Sequence, residues 1–162
     1  MNPRAHGLGI AAIACGLLLC ILPALPWYSA DLPTGSDELT GYGASATTWI
    51  LPVAGAIMMI AGLLSAWWRP PTGTRVARIL GALVVVAAVA AVAWAARAAL
   101  APGVQVVAER MGQAAAPLDG DWPVTVLPAA WIAIATAALA GMAGILLLTA
   151  RPEDMIGPDD LL

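Results

Sequence analysis

The chain contains no lysine and no phenylalanine, and its single histidine, His6, sits near the start. Without lysine there is no amine for a Schiff base. One histidine in an N-terminal segment supports neither an imidazole-rich metal site nor histidine general acid–base chemistry. Cysteine is scarce too: Cys15 and Cys20 are the two present. On a helix they stand about 140° apart around the axis, so they neither pair with each other nor share a metal, and they read as packing residues. Charged residues are 10% of the sequence and the net charge is −3, which leaves no basic patch for nucleic acid. No Gly-Lys-Ser/Thr phosphate loop or dinucleotide fingerprint occurs. These absences point away from an enzyme: no catalytic residue, metal or cofactor is expected.

What the 162 residues do contain is apolar, at 61% hydrophobic, where a soluble domain holds about half. Four runs, Leu8–Leu25, Trp49–Trp68, Ile79–Ala96 and Val124–Ala150, carry no charge in their middles. Each reaches roughly the 18–20 residues a helix needs to cross a hydrocarbon core. The expected fold is all-α: a polytopic four-transmembrane-helix bundle with spans near 8–26, 48–68, 78–100 and 124–150. Residues 1–151 form one membrane domain, and the acidic tail 152–162 is expected to be disordered. The first run has a poor small-x-small cleavage site after it and reads as a retained helix rather than a secretory signal. No acid lies within a span to carry protons or cations, so ion-coupled transport is not expected.

Arginine placement gives the orientation. With the N-terminus inside, Arg4, Arg69, Arg75, Arg78 and Arg151 are cytoplasmic, and Arg97 and Arg110 are outside. The expected location is a bacterial cytoplasmic (inner) membrane with both termini cytoplasmic. Trp27 and Tyr28 follow Pro26 at the exit of the first span, where they are expected to anchor at headgroup level. Trp49, Trp67, Trp68 and Trp94 take similar places at other span ends. Helix packing is expected to use small residues: Ala12 and Gly16, Gly55 and Gly62, Ala137 and Gly141, Ala140 and Gly144. Pro128 is expected to kink the fourth helix near its start.

Two outer loops hold the remaining candidates. Asp31, Asp37 and Glu38 match no calcium loop, so residues 29–48 read as a solvated segment with a short hairpin around Asp37–Gly43. In Pro102–Ala116, Val104, Val107 and Met111 repeat at helical spacing opposite Gln105, Glu109 and Gln113, the pattern of a short amphipathic helix. Arg97 is the charge nearest a membrane-embedded position. It is expected to snorkel to the interface or pair with Glu109, and alternatively to hold a lipid phosphate. Arg97, Glu109, Trp94 and Trp27 are thus the candidate lipid or partner contacts.

Pro26-Trp27 at the first exit, Thr40-Gly41 leading into the second span, Arg75 and Arg78 before an Ala/Val-rich third span, and Trp122-Pro123 before the fourth form a layout. It resembles that of the trp-region conserved membrane proteins, small four-span bacterial proteins often encoded beside tryptophan-biosynthesis genes. The resemblance implies a four-span fold and carries no activity or site residues. The expected function is that of a non-catalytic accessory or assembly subunit packing against a larger membrane complex. The alternative is a binder or carrier of lipid or a small apolar ligand. Membrane lipids and a membrane-protein partner or second copy are the expected partners.

Overall fold

A computed structural model describes residues 3–32, 35–67, 73–100 and 124–149. The amphipathic segment expected at Pro102–Ala116, with Glu109, and the acidic tail lie outside the described residues, as do Trp68, Arg69 and Arg110.

Four long helices dominate: α1 (Pro3–Ile21), α2 (Ile50–Trp67), α3 (Gly73–Leu100) and α4 (Pro128–Thr149). All four are long and apolar enough to cross a membrane. Proline opens α1 and α4, where its missing N–H and preset φ suit the first helical position. Pro128 therefore starts α4 rather than kinking it. The apolar run assigned to the fourth span begins earlier, at Val124, but Val124–Val126 is a β-strand. A short apolar stretch of β-branched residues cannot be told from helix by hydrophobicity alone, and Val-Thr-Val suits a pleated surface.

Each helix packs against its chain neighbours, and α4 closes the ring against α1. Glycine sets how closely the helices meet. In the α1–α2 pair, Gly16 faces Gly55 and Gly9 faces Gly62. A Cβ on Gly9 would lie 2.7 Å from the Gly62 carbonyl oxygen, and one on Gly62 would lie 2.6 Å from the Gly9 oxygen. Gly81 of α3 and Gly144 of α4 make the same reciprocal contact, at 2.9 and 3.0 Å. Such backbone approach is how helices gain contact where lipid competes for every apolar side chain. Gly16, Gly55, Gly62 and Gly144 are the small residues expected at interfaces, and Gly9 and Gly81 are their unforeseen partners. Alanine fills the rest of the α3–α4 seam, with Ala91, Ala95, Ala133, Ala137 and Ala140 fully buried.

A small sheet caps the end of the bundle where α1 and α3 finish and α2 and α4 begin. Strands β1 (Pro26–Leu32), β2 (Gly35–Thr40) and β3 (Val124–Val126) form an antiparallel sheet in the order β2-β1-β3. The all-α expectation thus holds for the bundle and not for the cap. The hairpin also lies earlier than Asp37–Gly43. It joins β1 to β2, while Gly41–Ala44 forms a single helical turn. Tyr28 pairs with Leu39 on one side and Val126 on the other, and all three pack toward the core. On the next rung Glu38 and Thr125 flank Ser29 and are exposed. This alternation is what one buried sheet face requires.

Candidate functional site

The capped end gathers two of the four residues singled out from sequence. Trp27 and Trp94 lie with ring centroids 5.7 Å apart and planes tilted by 58°. Trp27 is not an interfacial anchor: it is fully buried, and its indole N–H donates to the Leu22 carbonyl at 2.8 Å. That oxygen opens the 3₁₀ turn Leu22–Ala24 extending α1 and also accepts from the Leu25 amide. Past Pro26 the chain runs back across the bundle end as β1, and the next side chain is buried in the core.

Tyr28 is also buried within the chain, and its hydroxyl donates to the Ala98 carbonyl at 2.8 Å. Ala98 lies in the last turn of α3, where helix carbonyls lack intrahelical donors, and Tyr28 supplies one. Burial pushes the Tyr28 hydroxyl above the ordinary tyrosine range. A raised pKa means the folded state holds the protonated donor. Its contribution is complete below the unfolded value near 10 and is lost as pH rises through the raised folded value. Cap stability is therefore expected to be flat from neutral pH to about 9 and to fall above about 10. Tyr28→Phe is expected to cost about 1–3 kcal/mol by orphaning the Ala98 carbonyl, and to abolish the alkaline loss. Thermal unfolding across pH, with and without the substitution, checks both.

The segment between β2 and α2 is held by its own hydroxyls. Thr40 Oγ1 accepts from the Gly43 amide at 3.2 Å, and Ser45 Oγ accepts from the Thr47 amide at 3.2 Å, each capping a short turn. Thr48 is fully buried and donates to both the Gly41 and Ser45 carbonyls, at 2.7 and 2.8 Å. The Trp94 indole donates to Thr47 Oγ1 at 3.0 Å, which ties α3 to the segment entering α2. These partners were not singled out from sequence. The Ser45–Thr48 run carried the signal, since hydroxyl residues directly before an apolar run mark a helix start.

Arg97 lies in the last turn of α3, one turn beyond Trp94, and is exposed. A cation there suits the negative end of the helix dipole. Asp31 pairs with Ser36, Asp37 with Ala30 and Glu38 with Ser29, on three separate rungs of the hairpin. Among the described residues no group of three or more His, Cys, Asp or Glu is placed to hold a metal ion. Cys15 and Cys20 are unpaired thiols.

Below the cap, an open groove of about 370 Å³ lies between α2 and α3 on the outside of the bundle. Ala54 and Ala87 form its floor, and Trp49, Ile57, Leu83 and Val86 are among its walls. Two alanines facing each other between larger side chains make the depression, a feature that spacing along one helix does not reveal. No protein-family model matches the chain, and no curated protein matches it.

Proposed function

We propose that this chain is a non-catalytic membrane subunit that assembles with a larger membrane protein. In this proposal it spans a bacterial inner membrane with both termini cytoplasmic, leaving the cap on the outer side. The arginine bias supports that orientation, with Arg75 and Arg78 at the opposite end of α3 from the cap. The likeness in layout to the trp-region membrane proteins belongs to the same proposal.

The observation that carries the reading is the cap. Its buried polar atoms serve to hold it in place: Trp27, Tyr28 and Thr48 donate to backbone carbonyls, and Trp94 bonds Thr47. A sheet clamped to three helix ends is a rigid platform beyond the membrane face. Rigidity lowers the ordering cost of association, which favours a docking surface. The experiment is purification of tagged protein from its native host, at native expression level in mild detergent, followed by native mass spectrometry. A defined heteromeric complex is the expected result. A lone monomer or homodimer carrying no other protein would sink the proposal.

A further inference from the structure

The groove between α2 and α3 is apolar throughout, and its volume of about 370 Å³ falls in the range of small-molecule sites. Its α3 side is made by Leu83, Val86, Ala87 and Ala90. At 100° per residue, Arg97 falls within about 40° of the midline of that stripe, two turns beyond Ala90. The exposed guanidinium therefore continues the line of the groove toward the capped end. Between them stands Trp94, whose ring bonds Thr47 in the turn that enters α2. Trp49, 65% exposed, stands at the α2 edge of the groove. Amphipathic indoles at this height mark the boundary between hydrocarbon and headgroups.

Length supports the same assignment. From Leu83 to Arg97 the helix rises about 21 Å. One leaflet, headgroup included, is about 20–22 Å thick. The strip is apolar for its lower half, aromatic at the level of the ester linkages and cationic at its end.

We propose that this strip binds one phospholipid of the leaflet at the capped end. An acyl chain lies in the α2–α3 groove, and the phosphate accepts hydrogen bonds from Arg97. A guanidinium is suited to phosphate because its planar fork can donate two parallel bonds. Lipids with net anionic headgroups are preferred, because a zwitterionic headgroup carries an ammonium that competes with Arg97 for the same phosphate. The site stands whether or not the chain assembles with a partner protein.

The test uses full-length protein in nanodiscs of phosphatidylglycerol and phosphatidylcholine, released into the gas phase for native mass spectrometry. One retained phosphatidylglycerol per chain is expected. Arg97→Gln is expected to weaken retention roughly tenfold to a hundredfold, the range for a lost hydrogen bond to a charged group, and to erase the preference over phosphatidylcholine. Ala90→Phe fills the groove from an exposed position without entering the core, and is expected to lower retention of both lipids. Arg75→Gln, at the far end of α3, is expected to change nothing. Retention unchanged in both Arg97→Gln and Ala90→Phe would overturn the proposal. So would a parent protein that keeps no lipid, or one that keeps phosphatidylcholine equally well.

Discussion

Gly16→Ala is expected to pry α1 from α2. A Cβ at this position would lie 2.5 Å from the Gly55 carbonyl oxygen and 3.1 Å from the Met59 backbone nitrogen. Neither atom is the end of a flexible side chain, so the helices must move apart along their shared face. Overpacking of this kind costs about 1–3 kcal/mol, and Gly16→Leu is expected to cost more. The reciprocal change, Gly55→Ala, meets the Gly16 carbonyl and should cost a similar amount. Because both changes open the same seam, the double variant should be less destabilised than the two single losses added together. Gly7 supplies the control: nothing lies within 4 Å of a Cβ there. Gly7→Ala should be neutral or stabilise by up to about 1 kcal/mol through helix propensity. Unfolding of the purified variants in mild detergent reads all five. Equal midpoints for Gly7→Ala and Gly16→Ala would mean that close backbone approach does not hold this pair.

The second large effect is expected at Trp27. Replacing this fully buried indole with alanine removes its packing on Trp94 and its bond to the Leu22 carbonyl. The cost should be about 3–5 kcal/mol, as for other large-to-small changes in a core. The loss should be local: residues 26–49 become protease-sensitive while the glycine-packed bundle persists. Trp27→Phe keeps an aromatic ring and deletes the donor. Leu22 O still accepts from the Leu25 amide at 3.1 Å, so this variant should lose only about 0.5–1.5 kcal/mol for the bond, beside a smaller packing loss. Limited proteolysis with mass mapping distinguishes local from global loss. A Trp27→Ala protein whose cap resists protease as the parent does would refute the anchoring role.

Much of the bundle is legible in the sequence. Uncharged runs long enough to cross a bilayer are a strong signal, because backbone polar groups in hydrocarbon must be satisfied within the segment. The small residues Gly16, Gly55, Gly62 and Gly144 could be named as packing positions from spacing. The cap was much less legible. Trp27 beside Pro26 after a long apolar run is the ordinary pattern of an interfacial anchor, and nothing local indicates that the chain folds back over the helix end. Val124–Val126 looks like the continuation of a span until it is seen paired with β1 through Ala30 and Tyr28. Of the candidate contacts, Trp94 and Trp27 came together, and Arg97 fell on the surface one turn beyond Trp94.

By itself, the sequence determined that this protein has four membrane-length apolar helices and where a few of their packing positions lie. The reason is local: length, hydrophobicity and the placement of proline act within one segment. Which helix meets which was decided by tertiary structure, since spans apolar on every face carry no stripe to orient them. The pairing of Gly9 with Gly62 and Gly81 with Gly144, the burial of Trp27 and Tyr28, and the groove over Ala54 and Ala87 each need two distant segments side by side. Such contacts depend on shape across an interface, and shape belongs to the assembled bundle.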